Sequence, residues 1–230
     1  MNKRAVVSFA NERGRYVQNM ARLSESLRNN FTTGDFIGFV NESSLGAPKH
    51  EDDPYSFKIF CFKKVLEQGY TSILYLDSSV FAVKNIDTLF DKIEQDGFLM
   101  QRAGYNCAEW CNDFVLEHFE ISRDVAETMP MIGNAGMLGL DFTKELPKEF
   151  FERWQNAQQA GCFKGSWTNT NNSESADERC RGSRHDMSCS SILVNKLNVI
   201  GLAVDEDQLL QYAGLYDELA NSNIYFKAQG

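Results

Sequence analysis

The stretch from residue 72 to residue 90, SILYLDSSVFAVKNIDTLF, constrains the fold more than any other part of the chain. Its apolar run, residues 72–76, stops at Asp77 and is followed by two hydroxyl side chains, Ser78 and Ser79. Buried strands of α/β sheets show this pattern, and open α/β sheets bind ligands at the carboxyl ends of their strands. The sequence therefore predicts that Asp77 is a site residue at a sheet edge.

Strand-like and helical patterns alternate along the chain, which predicts an α/β fold with a mostly parallel, Rossmann-like sheet flanked by helices. The predicted strands are residues 5–9, 35–40, 72–76, 97–100, 135–140 and 199–204, and the main predicted helices begin near Tyr16 or span residues 55–68 and 146–160. Residues 101–130 are irregular and contain short helical pieces. Residues 165–184 are strongly polar and favour either a mobile loop beside the site or a plain surface loop.

Length and composition indicate one globular domain. The chain has 230 residues, of which 43% are hydrophobic and 24% charged, and single domains commonly reach ~250 residues. A net charge of -9 without a Lys/Arg cluster argues against a nucleic-acid partner. No run approaches the ~18 apolar residues of a membrane span, and the first apolar stretch is short for a signal peptide, so we expect a cytoplasmic protein with reduced cysteines.

The stretch that begins at Asp77 resembles the glycogenin-type sugar-nucleotide transferases. That family shows an apolar strand, Asp-x-Asp, a few apolar or small residues and then Asn-Ile-Asp-x-Leu-Phe; here Asn85 to Phe90 match the tail, and the similarity spans 14 positions. The resemblance implies a GT-A fold that binds a nucleotide sugar with Mn2+ or Mg2+. Asp77 and Ser79 would be the metal ligands, although Ser79 replaces the second aspartate, and the late His-x-x-Gly-x-x-Lys-Pro-Trp segment of the family is absent.

The turn after the first strand, SFANERGRY, is similar to the family's nucleotide-binding turn. Ser26 and Leu27 stand at the family's offsets from Tyr16. The resemblance implies that uracil and ribose are held by Ser8, Ala10, Asn11 and Tyr16. Arg13 could pair with the pyrophosphate, because a guanidinium matches phosphate oxygens in a bidentate fork. The alternative for Tyr16 is a packing residue at a helix start.

Two later segments extend the resemblance. Lys58 in FKIFCF has the family's Cys and aromatic neighbours, which implies a contact with a donor phosphate or sugar hydroxyl; snorkelling of the lysine to solvent is the alternative. MIGNAGMLGL resembles the strand that contacts the donor sugar, which implies donor-binding roles for Asn134, Ala135 and Gly136. The plain alternative is a glycine-marked bulge.

RHDMSCSSILVNKL, residues 184–197, places Asp186 at the expected N-cap of a helix, where the family carries Asp-Gln. Asp186 could act as the catalytic general base for an acceptor hydroxyl, or it could serve only as a helix cap. The neighbouring His185 could be a ligand or an acceptor contact, but a solvent-facing loop histidine is the expectation. Retention is the outcome in the glycogenin-type family, but inversion with Asp186 as base fits the residues equally well.

The matching segments cover most of the chain, residues 1–230, which we interpret as a single GT-A glycosyltransferase domain. The segments AGYNCAEWCNDF and GCFKGSW further resemble glycosyltransferase domains encoded by large chlorella viruses, which implies a viral glycan or glycoprotein acceptor, a host-cytoplasmic location and one domain of a longer protein. The expected reaction transfers a hexosyl group, with UDP-sugar as the expected donor. The alternatives are a sugar nucleotidyltransferase and a non-catalytic sugar-nucleotide-binding domain.

Overall fold

The structure of the protein is a computed structural model that describes residues 2–133, 136–205, 208–212 and 224–228. Its strands are β1 (Arg4–Ala10), β2 (Asp35–Val40), β3 (Ser72–Leu76), β4 (Val80–Ala82), β5 (Phe98–Leu99), β6 (Gln101–Asn106), β7 (Pro130–Gly133), β8 (Met137–Asp141), β9 (Leu210–Tyr212) and β10 (Phe226–Ala228). Its α-helices are α1 (Tyr16–Leu27), α2 (Glu42–Leu45), α3 (Phe57–Glu67), α4 (Asp87–Asp96), α5 (Cys107–Trp110), α6 (Asp113–His118), α7 (Arg123–Glu127), α8 (Glu145–Gln159) and α9 (Asp186–Lys196).

The main sheet is mixed, with the strand order β2-β1-β3-β8-β5. β1 pairs in parallel with both β2 and β3, whereas β8 runs antiparallel to its neighbours β3 and β5. Four of the five strands therefore share one direction. The expectation of an α/β fold with a mostly parallel sheet between helices is confirmed at this level.

Both faces of the sheet are buried, and successive side chains of a strand enter the two cores in turn because they point to opposite faces. In β1, Val7 joins a core cluster that contains Phe62 of α3, Trp154 of α8 and Ile192 of α9. The neighbouring residue, Val6, joins a second cluster with residues of α1 and α4. The apolar run of β3 is buried on both faces in the same way, as the sequence predicts.

Two smaller sheets flank the main one. β4, which follows Asp77 to Ser79, pairs antiparallel with β10, and β10 pairs in parallel with β9. β6, which begins the segment 101–130 that the sequence marks as irregular, pairs antiparallel with β7 at the end of that segment. None of the helices in the described ranges is both long and apolar enough to cross a membrane.

The predicted strand at residues 199–204 is wrong. The chain forms a 3-10 turn over Ile200–Leu202, and only Val204 makes a bridge, to Gln101. Gly201 interrupts the apolar run, and glycine weakens strands because it has no side chain to pack. Periodicity alone does not reveal this, since a run of six residues fits a strand or a turn with buried ends.

Candidate functional site

A cavity of about 220 Å³ opens at the carboxyl edge of the sheet, where β1 and β3 end. It brings together Asn11 and Tyr16, which follow β1, with Asp77, Ser78 and Ser79, which follow β3. The remaining lining residues are Phe9, His50, Tyr55, Phe57 and Tyr75. Residues that the sequence singles out in two separate segments therefore meet at one sheet edge.

A second cavity of about 280 Å³ shares Asn11 and His50 with the first. Its lining is polar and charged: Asn11, Glu12, Arg13, Asn41, Glu42, Lys49, His50 and Glu51. Asn41 follows β2, so the ends of three adjacent parallel strands contribute to the two cavities. In the turn after β1, the Arg13 backbone N–H donates to Asn11 Oδ1 at 3.0 Å, which fixes the Asn11 side chain.

The Asp77 carboxylate is held in place from two sides. The Tyr75 hydroxyl donates to Asp77 Oδ1 at 2.9 Å, and the Asp77 backbone N–H donates to the Gly136 carbonyl at 2.9 Å. Burial raises the pKa of Tyr75 well above its usual value, and the nearby Asp77 carboxylate raises it further, so the phenol stays a proton donor. A Cβ at position 136 would lie 2.9 Å from Asp77 Oδ2, so glycine leaves room for this carboxylate.

The oxygen ligands around Asp77 are few for the metal ion that the resemblance implies. Asp77, Ser78 and Ser79 line the cavity, and the Ser79 carbonyl accepts a hydrogen bond from Arg22 at 2.9 Å. Within the described ranges, no group of three or more His, Cys, Asp or Glu side chains is placed to hold a metal. One carboxylate and two hydroxyls fit a hard cation only if phosphate oxygens of a bound nucleotide complete its coordination.

Lys58 and Asp186 form a buried ion pair behind the cavity. Lys58 Nζ lies 2.8 Å from Asp186 Oδ2, and the two side chains are 2% and 3% exposed. The ammonium lies 5.1 Å and 5.4 Å from the ring centroids of Tyr55 and Tyr75, which both line the cavity. Burial raises the pKa of Asp186, and the Lys58 ammonium opposes that increase. Neither charged group lines the cavity itself.

The expected capping role of Asp186 is wrong. Helix α9 begins at Asp186, His185 occupies the cap position, and no side chain makes a capping hydrogen bond there. The Asp186 carboxylate is engaged by Lys58 instead, while its backbone carbonyl accepts a hydrogen bond from Trp154 Nε1 at 3.1 Å. The side chain that the sequence marks as a cap is therefore half of an internal charge pair.

The expectation that His185 faces solvent is also wrong. Its side chain is buried, and Nδ1 lies 3.0 Å from the Phe163 carbonyl. The rings of Tyr55 and Trp167 cover it, at centroid distances of 5.3 Å and 5.0 Å. Burial lowers the pKa of His185, although the hydrogen bond to Phe163 works in the opposite direction. Because residues 165–184 are mostly polar, the sequence gives no sign that aromatic rings cover His185.

Some predicted donor residues do not reach the cavity. Ser8 and Ala10 are buried in β1, and the Ala10 carbonyl accepts a hydrogen bond from the Asn41 backbone at 3.0 Å. Asn134 and Ala135 lie outside the described residues. Tyr16 is 49% exposed at the start of α1 and lines the cavity, whereas Arg13 lines the adjoining one.

Sequence reasoning missed His50 and Tyr55, which line the cavity from the segment before α3. The Tyr55 backbone N–H donates to His50 Nδ1 at 3.1 Å, and Tyr55 has a positive φ of 61°. Such a conformation is rare for a bulky residue and often occurs at functional sites. The clue in the sequence is the cluster HEDDPY, which places His, carboxylates and Tyr in a connection that leads into this edge.

All six cysteines are buried free thiols. No protein-family model matches the chain, and no curated protein sequence matches it. The geometry of the two cavities is therefore the basis for a functional proposal.

Proposed function

We propose that this chain is a GT-A-type glycosyltransferase that transfers a hexosyl group from a nucleotide sugar, with UDP-sugar as donor, to a hydroxyl of a glycan or glycoprotein. One observation carries the proposal: the Asp77 carboxylate is fixed at the carboxyl end of β3, in a cavity that also contains Tyr16 and Asn11 from the end of β1. Nucleotides bind at this edge of open α/β sheets.

Each side chain at this edge can be matched to one part of the nucleotide sugar. The exposed Tyr16 ring can stack on the base, and the Asn11 amide can hydrogen-bond the ribose. Arg13 faces the adjoining cavity and can pair with phosphate oxygens. Asp77 and Ser79 would hold Mn2+ or Mg2+ together with the diphosphate, and a bound ion would stabilise the negative charge that develops on that leaving group.

The Lys58–Asp186 pair fits a positioning role. Lys58 lies against Tyr55 and Tyr75, and Tyr75 in turn holds Asp77 by a hydrogen bond. A general base must come within hydrogen-bond reach of the acceptor hydroxyl, and a carboxylate that is 3% exposed and bonded to an ammonium is poorly placed for that. We therefore favour an indirect role for Asp186, through the aromatic wall of the cavity.

A non-catalytic sugar-nucleotide-binding domain is the second candidate. The enclosure of Asp186 favours it, because Asp77 is the one carboxylate among the described residues that line the first cavity. The two candidates differ in one respect: only a transferase consumes the donor and releases the nucleoside diphosphate.

Calorimetric titration with UDP, UDP-glucose and GDP-mannose, each with and without Mn2+, tests the proposal. We expect Mn2+-dependent binding of the uridine ligands, loss of that binding in Asp77→Asn, and no change in Asp52→Asn, a control that removes an exposed carboxylate next to Glu51 of the second cavity. Absence of nucleotide binding under every condition would contradict the proposal. Binding without UDP release in the presence of glycan acceptors would favour the non-catalytic candidate.

A further inference from the structure

A cluster of aromatic side chains surrounds one arginine beside the first cavity. The Arg184 guanidinium carbon lies 3.6 Å from the ring centroid of Trp110 and 4.5 Å from that of Trp167, so the guanidinium makes cation–π contacts with two indoles. The ring of Tyr55 is 6.2 Å from that of Trp167. We call these four residues, Tyr55, Trp110, Trp167 and Arg184, the aromatic shelf.

Hydrogen bonds fix the polar segment 165–184, which contributes Trp167 and Arg184 to the shelf, beside Trp110. The Arg184 backbone N–H donates to the Trp110 carbonyl and to Ser188 Oγ, at 3.2 Å and 3.0 Å. The Ser183 backbone N–H donates to the Ser166 carbonyl at 2.7 Å, which ties the chain beside Trp167 to the chain beside Arg184. These bonds fix the backbone on both sides of the guanidinium.

Polar groups of the shelf have unused hydrogen-bonding capacity. Within the described ranges, the Arg184 guanidinium makes no ion pair or hydrogen bond, and Trp110 Nε1 is buried without a hydrogen-bond partner. Buried polar groups in folded proteins are nearly always paired, because an unpaired donor loses its bonds to water. A guanidinium that lies over aromatic rings still has its edge N–H groups available to a ligand.

The shelf is continuous with the candidate donor cavity. Tyr55 belongs to both, and the outer end of the shelf is accessible, since Trp167 is 48% exposed. Tyr105, which is 41% exposed, extends the aromatic surface, with its ring 5.9 Å from that of Trp110. A molecule that rests on the shelf would therefore extend towards Asp77.

We propose that the aromatic shelf is the acceptor subsite and binds one pyranose ring of a glycan, with the C–H face of the sugar against Trp167 and the sugar hydroxyls accepting hydrogen bonds from Arg184. This inference rests on the proposed glycosyltransferase function and identifies the acceptor side of the same site. A pyranose matches the shelf because it has an apolar face and a rim of oxygen acceptors, and the negative face of an indole attracts the polarised C–H bonds of the sugar.

Saturation-transfer NMR with methyl glycopyranosides of glucose, galactose, mannose, xylose and rhamnose, in the presence of UDP and Mn2+, tests the subsite. We expect a saturable signal from at least one glycoside, at least about tenfold weaker binding in Trp167→Ala and in Arg184→Gln, and unchanged binding in Phe114→Ala. Phe114 is the matched control, since it is an aromatic side chain of α6 that is 53% exposed and outside the shelf.

The outcomes separate this inference from the proposed function. Equal glycoside signals in wild type and Trp167→Ala would overturn the shelf, as would a wild-type chain that binds UDP but none of the glycosides. Calorimetric titration of each variant with UDP and Mn2+ checks that the donor cavity is intact, and we expect unchanged affinity. Glycoside binding that depends on Trp167 in a chain that does not bind UDP would support the shelf and contradict the transferase.

Discussion

The buried Lys58–Asp186 ion pair limits which single substitutions can test the site. The Lys58–Asp186 pair has almost no contact with solvent, so each charge depends on the other for compensation. Removal of one partner from such a pair is strongly destabilising because it leaves an uncompensated charge, whereas replacement of both by apolar residues is often close to neutral. The effect of a substitution in this pair on the free energy of unfolding must therefore be measured separately from its effect on function.

We expect Lys58→Met and Asp186→Leu each to lower the free energy of unfolding by about 3–5 kcal/mol, and the double variant to recover most of that loss. Urea denaturation of all three variants measures these differences. The exposed i,i+4 pair Lys92–Asp96 is the control, because exposed pairs contribute only about 0–1 kcal/mol. Additive losses in the double variant would show that the two charges do not compensate each other.

Gly136→Ala provides a second residue-scale prediction. The new Cβ would approach Asp77 Oδ2 to 2.9 Å, so the carboxylate must move although Tyr75 holds its other oxygen. We expect weaker Mn2+-dependent UDP binding, by about tenfold, in a folded protein. Gly201→Ala is the matched control, since a Cβ there meets nothing within 4 Å. Unchanged UDP affinity in Gly136→Ala would mean that Asp77 does not contact the donor complex.

At this scale the sequence predicts Asp77, Asn11 and Tyr16 together at one cavity, because strand ends are visible as apolar runs that stop at polar residues. It does not predict that Lys58 meets Asp186, which is 128 positions away. It also misses the aromatic cover of His185, because the covering rings come from segments far apart in the chain.

Helix α4 illustrates the element scale. Its first residue, Asp87, belongs to the tail that resembles the glycogenin-type family, but its carboxylate contacts the segment after α1 rather than the cavity. Oδ1 accepts hydrogen bonds from the Thr32 and Thr33 backbone at 3.0 Å and 3.2 Å. Burial works to raise the pKa of Asp87, but these bonds, together with those from the threonine hydroxyls and Asn85, outweigh it and lower the pKa to about 2.

This carboxylate predicts a pH dependence of stability. Because the folded pKa of about 2 lies below the ordinary 3.8, the ionised form stabilises the fold above pH 3.8, and that contribution is lost as the pH falls towards 2. We expect Asp87→Asn to be less stable than wild type at neutral pH and the difference to shrink across this window. Urea denaturation as a function of pH measures it, with Asp52→Asn as the control. A constant difference at every pH would contradict the assignment.

Helices and strands whose ends are marked in the sequence, for example by a glycine, are well predicted. Gly69 after α3 has a φ of 82°, the left-handed conformation typical of a glycine that ends a helix, and Phe150, Phe151 and Trp154 form a buried stripe of α8. Val17 is 39% exposed, so the inward stripe of α1 begins only at Met20. The β6–β7 pair escapes prediction because its register is irregular between Arg102 and Asn106.

At the scale of the whole molecule, the candidate site depends on chain segments that are far apart in sequence. β10 pairs with β4, and β4 begins directly after Ser79, so late residues of the chain support the loop that carries Asp77. Phe226 of β10 is fully buried in the same cluster as Leu74 and Leu76 of β3. Packing in this cluster therefore couples the second sheet to the site.

We expect Phe226→Ala to lower the free energy of unfolding by about 3–5 kcal/mol, because a buried aromatic side chain leaves a cavity when it is truncated. Under conditions where the variant is folded, we also expect weaker UDP binding, since β4 loses its support. Denaturation and calorimetry measure the two effects, with Phe114→Ala as the exposed control. Normal stability would indicate that β10 does not pack against β4 in solution.

The reversed direction of β8 has a consequence for how this site could diversify. Since β8 runs antiparallel to β3, the backbone enters β8 beside Asp77, and the Gly136 carbonyl meets the Asp77 N–H there. Residues inserted ahead of Gly136 would thus enter the chain next to Asp77, in the proposed donor site, while the register between Leu76 and Met137 stayed intact. Under the proposed function, the position ahead of β8 is therefore a place where donor preference could be redesigned without rebuilding the sheet.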